Sequence, residues 1–320
     1  FIDIECFCWS VMPALKTPMI NAGMVFTDRH VGGINYPKGG VGTIAEKLVK
    51  GLEKLGSKIR YKANVKEILI EDNNAIGVKL SNGEELFAKT IISNSTRWDT
   101  FGLNDEKKGL VDKEFVSRKE HNWKNNYKPS PSFVSIHIGV DKKIINPNFN
   151  CHHIIVENWD KLEDEKGVIF ISIPTLLDKN LAPEGKHIVH AFTPSSINEW
   201  ENLTRKEYLL KKENYFNFII KKISKIIPEI KDSIDHKEIG TPKTHKKFLG
   251  RFEGSYGPIP KKKLLGLLPM PFNTTSIKNL YCVGDSCFPG QGLNAVAFSG
   301  YACAHKIGSK LKINSPKLPD

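Results

Sequence analysis

The chain of 320 residues carries a formal net charge of +12, with 40% hydrophobic and 26% charged residues, 25 Gly and 18 Pro. That balance excludes a disordered tract, a collagen repeat and a coiled coil, and no run approaches the twenty consecutive apolar residues of a membrane span. Six cysteines with no C-x-x-C pair are too sparse for a disulfide scaffold and give no zinc motif.

The opening residues, FIDIECFCWS, have neither the basic start nor the apolar core of a signal peptide, and the chain reads as a segment of a longer protein. After Gly39-Gly40, residues Thr43 to Leu55 place Ile44, Leu48, Leu52 and Leu55 on one helical face, and Gly56 supplies the stop. Strands are expected at Lys58 to Tyr61, Val65 to Glu71, Ala75 to Leu80, Glu85 to Phe87 and Thr90 to Ser93. Turns at Asp72-Asn73-Asn74 and Ser81-Asn82-Gly83 make part of this a β-meander.

From Trp98 to Lys128 the composition turns polar, and Pro129 and Pro131 close the stretch before a strand at Phe133 to Val140. Further strands are expected at Cys151 to Glu157, Val168 to Ile173 and His187 to Thr193. The Cys151-His152-His153 run predicts no metal, because neighbours on a strand point to opposite faces and no partner cluster follows. Thr204 with Glu207 forms a capping box opening a helix whose Leu209, Phe216, Ile219, Ile220, Ile223 and Ile227 share a stripe until Pro228. The segment Gly250 to Phe272 is too irregular for an element, yet carries enough apolar residues to be expected to fold over something apolar. Leu280 to Val283 reads as a strand, Gly284 to Gly290 as a turn and Gly292 to Ile307 as a helix rich in small residues.

Charge is uneven: +2 over residues 1 to 100, −1 over 101 to 200 and +11 over 201 to 320. A basic flank of this kind suits an anionic membrane surface or nucleic acid, but no nucleic-acid-binding module is recognisable, so no nucleic-acid partner is expected.

Chemistry concentrates in LYCVGDSCFPGQGLNAVAFSG, Leu280 to Gly300. A buried strand runs into Gly284-Asp285, and a Gly-Gln-Gly turn then opens a helix. Unpaired N–H groups and the dipole at a helix start attract anionic or electron-rich ligand atoms, and glycines let backbone approach closely. Asp285 at the strand end is placed to accept hydrogen bonds from ligand hydroxyls. Gly290 to Ala295 fits G-x-G-x-x-A, but no second strand with a ribose-binding acid follows, so a complete dinucleotide fold does not start here. Gly284-Asp285-Ser286 is a poor serine-hydrolase match, since Phe288 replaces the second Gly and His305 lies within the helix.

The motifs FIDIECFCWS, PMINAGMVF (Pro18 to Phe26), GGINYPKGGVG (Gly32 to Gly42), STRWDTFG (Ser95 to Gly102), IPTLLD (Ile173 to Asp178), TPKTHKKFLGR (Thr241 to Arg251), LLGLLPMPFNTT (Leu264 to Thr275) and CVGDSCFPGQG (Cys282 to Gly292) span nearly the whole chain. Together they resemble the carotenoid isomerases of cyanobacteria and plastids, within the phytoene-desaturase branch of the FAD-dependent amine-oxidase superfamily. YPKGGVG with GDSCFPGQG resembles the isomerases more than the desaturases.

The resemblance implies an α/β fold of two domains: a split Rossmann-like FAD domain, its N-terminal βαβ unit lying outside this chain, and an inserted substrate domain of mixed sheet and helices. Residues 1–32 would end a first substrate-domain portion, 33–97 form a middle FAD segment, 98–245 the substrate domain and 246–312 the C-terminal FAD segment, with 313–320 a tail. FAD, in its reduced form, would be held by Gly284, Asp285, Gly290, Gln291, Gly292, Leu293 and Asn294, with Val65 at the adenine end through its backbone. Tyr256, Leu268, Met270, Phe272 and Phe288 would wall the tunnel of a C40 hydrocarbon, and Glu253 is the acid or charge stabiliser. The implied reaction turns poly-cis lycopene into all-trans-lycopene without net redox change, at a cyanobacterial or plastid membrane surface. The rival readings are a carotenoid desaturase on the same scaffold and a carotenoid-binding protein without catalysis.

Overall fold

The computed structural model describes residues 1–27, 33, 35–102, 108–261 and 270–313. Its helices are α1 (Ile2–Ser10), α2 (Met19–Thr27), α3 (Gly42–Lys54), α4 (Arg97–Phe101), α5 (Arg118–Asn126), α6 (Arg205–Ile223), α7 (Pro242–Leu249) and α8 (Leu293–Lys310). The strands are β1 (Val65–Glu71), β2 (Asn74–Leu80), β3 (Glu85–Phe87), β4 (Ile91–Ser93), β5 (Tyr127–Pro129), β6 (Ser132–Asp141), β7 (His152–Val156), β8 (Val168–Ser172), β9 (Lys186–Ser195), β10 (Ile234–Gly240), β11 (Pro258–Pro260) and β12 (Leu280–Cys282).

The chain divides into two compact units: Phe1–Asp28, Lys62–Ser130 and Gly250–Asp320 make the first, Arg29–Tyr61 and Pro131–Leu249 the second. The units change over at residues 29, 62, 131 and 250, whereas the expected segments change over at 33, 98 and 246.

In the first unit β1, β2 and β3 form the expected meander, turned at Asp72 and Asn73, both in the left-handed region. β12 pairs with β4 in parallel and β11 with β5 antiparallel. The core gathers Ile68, Trp98, Phe101, Trp123, Tyr127, Phe252, Met270 and Leu280. Trp98 stacks on Phe252 with centroids 5.2 Å apart and meets Trp123 edge-on at 4.6 Å, a geometry that aromatic quadrupoles favour.

The polar stretch after Trp98 holds two helices that composition did not reveal. Thr96 accepts a hydrogen bond from the Asp99 N–H, and Ser117 from the Glu120 N–H, so each opens its helix with a side-chain cap. Lys58 to Tyr61 does not form the expected strand: the stretch has no ladder partner among the described residues, and the chain turns at Tyr61-Lys62 with Lys62 left-handed.

The second unit is built on an antiparallel sheet in the order β10-β6-β9-β8-β7. In β6, Val134, Ile136, Ile138 and Val140 are buried while Ser135, His137 and Gly139 face the other way, the period-two alternation of a half-buried strand. Ile136, Ile138 and Val140 pack with Ile169, Ile171 and Val189 against Ile219, Ile220 and Ile223 of α6. That helix starts with the predicted capping box of Thr204 and Glu207. Its stripe is shorter than predicted: Leu209 is exposed, and Ile227 is buried beyond the helix end. On the opposite sheet face His152, Ser172, His190, His137 and Glu238 fall on one transverse row of paired residues. Helix α3 forms where periodicity put it, but Leu48, Leu52 and Leu55 on its apolar face are exposed.

Candidate functional site

Strand β12 is held by β4 on one side and by Asn273, whose Nδ2 donates to the Cys282 carbonyl at 2.9 Å and to Ser299 Oγ of α8 at 3.1 Å. The strand and the helix that follow each other in sequence are therefore clamped together, and the chain between them must turn sharply. Glycine makes that turn possible. Gly284 has φ +92°, and a Cβ there would fall 2.5 Å from Asn94 Oδ1. Gly290 and Gly292 have φ +127° and +98°, values that L side chains rarely adopt.

Gly292 caps α8 without a side-chain hydrogen bond, so the first-turn N–H groups face the turn with no capping oxygen. Gln291 is buried; its Nε2 donates to the Pro258 carbonyl at 2.7 Å, while its Oε1 has no partner among the described residues. Gly257 lies flat against it, since a Cβ there would sit 2.5 Å from Gln291 Cγ.

Met270 is buried beside Gly290, 3.6 Å from where a Cβ would be, and Phe272 and Phe288 form a ring pair at 5.4 Å. Tyr256 lies under the Arg251 guanidinium, 5.8 Å from its ring centroid, and its phenol is pushed up by burial against the pull of that cation. Asp285 pairs with Arg251 and accepts from Ser286 Oγ at 3.4 Å. Glu253 occupies a left-handed position in the 3-10 turn Phe252–Gly254 and is half-buried.

Of the residues predicted from sequence, Gly284, Asp285, Gly290, Gln291, Gly292, Met270, Phe272, Phe288 and Tyr256 belong to one neighbourhood. Leu293 and Asn294 open α8 with exposed side chains. Val65 opens β1, pairs with Leu80 and shares no sheet with Gly284. Leu268 lies outside the described residues.

Sequence reasoning missed four residues of this neighbourhood. Arg97 and Glu120 are almost wholly buried, and Arg97 Nη2 donates to both Glu120 carboxylate oxygens at 2.6 Å. Arg97 Nη1 reaches Cys287 Sγ at 3.8 Å, fastening the turn to α4 and α5. Burial pushes the Cys287 thiol up to about 11 against that cation, so it is a neutral packing group and no thiolate nucleophile. Arg251 is the third. The fourth, Asn21 of α2, has both amide atoms buried without a partner among the described residues and lies against Gly290. The T-x-x-D and S-x-x-E spacings at Thr96 and Ser117 could have revealed the helices carrying Arg97 and Glu120, and Asn21 stands out as a polar residue in the apolar run Met19 to Phe26.

A cradle of side-chain-free backbone, an uncapped helix start and buried amide atoms together fit a polar heteroaromatic cofactor. A separate cavity of about 760 Å³ in the second unit is lined by charged residues, among them Lys212, Glu213, Lys237 and Glu238, together with Leu209 and Ile239.

No protein-family model matches the chain. It is 58% identical over 315 residues to prolycopene isomerase 1, chloroplastic, of an Oncidium hybrid cultivar, an alignment covering 98% of this chain and 53% of that protein. It is 54% identical over 313 residues to prolycopene isomerase, chloroplastic, of Arabidopsis thaliana, covering 97% and 52% respectively. The chain spans about half the length of the curated relatives it matches. Among solved structures, an oxidoreductase from Methanosarcina mazei superposes with a TM-score of 0.66 at 17% identity, covering 95% of this chain and 63% of that one. The resemblance read from the motifs therefore holds over nearly the whole chain, and the fold is the mixed α/β, Rossmann-like one expected.

Proposed function

We propose that the chain is part of a flavin-dependent carotenoid cis–trans isomerase that converts poly-cis lycopene to all-trans-lycopene. The observation that carries this reading is the identity of 54–58% to chloroplastic prolycopene isomerases across 97–98% of the chain. FAD is the proposed cofactor, and the glycine turn at residues 284–292 supports it. Bound reduced FAD would supply the electrons that transiently lower the bond order of a conjugated double bond.

The chain's own residues bind and orient. Gly284, Gly290 and Gly292 let backbone reach the cofactor, the start of α8 at Leu293 and Asn294 turns N–H groups toward it, and Gln291 holds an acceptor in place. Arg251 fixes the Asp285 carboxylate at the ribityl end, and Val65 is assigned to the adenine end. Met270, Phe272, Phe288 and Tyr256 wall off water from a hydrocarbon that offers no polar handle. Glu253 remains the proposed acid or charge stabiliser.

Attachment to an anionic plastid or cyanobacterial membrane surface belongs to the same reading. No described helix is long and apolar enough to cross a membrane. The last 120 residues carry +11, and Phe248 and Leu249 are exposed beside Lys246 and Lys247, a pairing suited to interfacial binding.

The test is conversion by the full-length protein with reduced FAD and liposome-borne poly-cis lycopene, followed by chromatography and mass measurement. All-trans product of unchanged mass is expected. Loss of two hydrogens would turn the assignment to a desaturase, and tight carotenoid binding without turnover would turn it to a binding protein.

A further inference from the structure

We infer that Asn21 is a ligand-contacting residue whose carboxamide reads an adjoining donor and acceptor edge of the cofactor, the chemistry of the imide edge of a flavin ring. This rests on the flavin reading above and adds to it a residue from α2, remote in sequence from the glycine turn.

Asn21 is 5% exposed, and neither its Nδ2 nor its Oδ1 has a hydrogen-bond partner among the described residues. Burying an amide in this way is costly unless something pairs with it. Helix formation gives no reason for it, since Asn is a poor helix former and the surrounding residues of α2 are apolar or small. The carboxamide lies on Gly290: a Cβ there would come within 3.1 Å of Nδ2 and 3.8 Å of Oδ1. At φ +127° that position also strains any side chain, so Gly290 keeps the amide in contact with the turn.

The next residue supplies the second observation. Gln291 is 8% exposed, its Nε2 is committed to the Pro258 carbonyl, and its Oε1 is buried and unpartnered. The turn thus offers a neutral donor and acceptor from Asn21 and a neutral acceptor from Gln291, next to the uncapped start of α8.

That set discriminates between ligand classes. A hydrocarbon has no polar atom to pair with it. A phosphate accepts hydrogen bonds but cannot donate to the Asn21 and Gln291 oxygens when fully ionised. A heterocycle presenting adjoining N–H and C=O groups along one edge pairs with both the acceptor and the donor of the Asn21 carboxamide.

The experiment uses the full-length protein and its Asn21→Leu and Asn21→Asp variants, with three readouts: FAD affinity by fluorescence titration, midpoint potential of the bound flavin, and melting temperature without flavin. Leu matches Asn in size and removes the unpaired amide, so the cofactor-free melting temperature should hold or rise while FAD affinity falls about tenfold or more. Asp keeps the shape, loses the donor and adds negative charge, so affinity and midpoint potential should both fall. A purely structural Asn21 would lower the cofactor-free melting temperature and leave the potential unmoved.

Wild-type affinity and potential in either folded variant would overturn the inference while leaving the flavin reading intact. Failure of the wild-type protein to take up FAD would overturn both. Should Asn21→Leu not fold, the isosteric Asp variant decides by the same titration.

Discussion

The five-stranded sheet of the second unit and the glycine turn of the first bury their side chains for opposite reasons. Against the sheet the core is aliphatic, from Ile136 and Ile138 through Ile169 and Ile171 to Ile219 and Ile223, and each position asks only for shape and apolarity. Around the turn an Arg97–Glu120 ion pair, Asn21, Gln291 and Ser286 are buried together, with Gly254, Gly257, Gly284, Gly290 and Gly292 all at positive φ. Polar burial costs stability, and a glycine held in one conformation gives up more backbone freedom than any other residue. Their concentration in one place sets the candidate site apart from the aliphatic core.

The contrast breaks most visibly at Glu120. Glu120→Ala leaves the Arg97 guanidinium buried and uncompensated, and should cost about 3–5 kcal/mol in urea unfolding; a loss near zero would mean water already reaches the pair. Ile219→Ala, in the aliphatic core, should cost about 3 kcal/mol with a cavity left behind, without touching flavin occupancy. The sharper test is Arg97→Met combined with Glu120→Leu. An apolar replacement of the whole pair should return stability to within about 2 kcal/mol of wild type, while released-flavin absorbance falls because the turn has lost its tie to α4 and α5. Unchanged occupancy would make the pair a packing solution only.

Thr204→Ala removes one exposed cap and should cost about 1 kcal/mol, a check that the second unit obeys local rules. A further effect concerns pH. His190 is held down to about 4 by burial and then by His137, 4.4 Å away ring to ring. It stays neutral when folded while the unfolded chain takes up its proton near pH 6.5, so stability declines as pH falls from about 6.5 toward 4. His190→Phe should flatten that slope in melts at pH 7.5, 6 and 5, and His137, also held low by burial, keeps it from vanishing.

What the residues disclosed by themselves follows the same division. Strand β6 and helix α6 repeat a simple period over many residues, so their faces were legible, and the Thr204 cap announced where α6 begins. The glycines of the turn were legible because a strand, a Gly-rich break and a small-residue helix follow one another directly. Partnerships were not. Nothing near Asp285 says that Arg251 will hold it, and Glu120 occupies a position where a carboxylate often turns back on its own helix start, yet it reaches across to Arg97 instead. Lys58 to Tyr61 shows the converse: an extended pattern makes a strand only when another strand lies beside it. Helix α3 shows that a periodic apolar face predicts the helix without predicting what covers it.

The division of the chain into interleaved segments also sets a timetable for synthesis. The strands and helix of the five-stranded sheet lie within Pro131–Leu249, so they can close on one another as soon as Leu249 has left the ribosome. Ile91 of β4 must wait for Leu280, and Asn21 must wait for Gly290. Stalled chains ending shortly after Leu249 should therefore already protect the sheet from protease while Trp98 and Trp123 remain accessible. The glycine turn is complete only once Gly292 has been made, so on the proposed flavin reading a nascent chain interrupted before it has a folded sheet and no site for the cofactor.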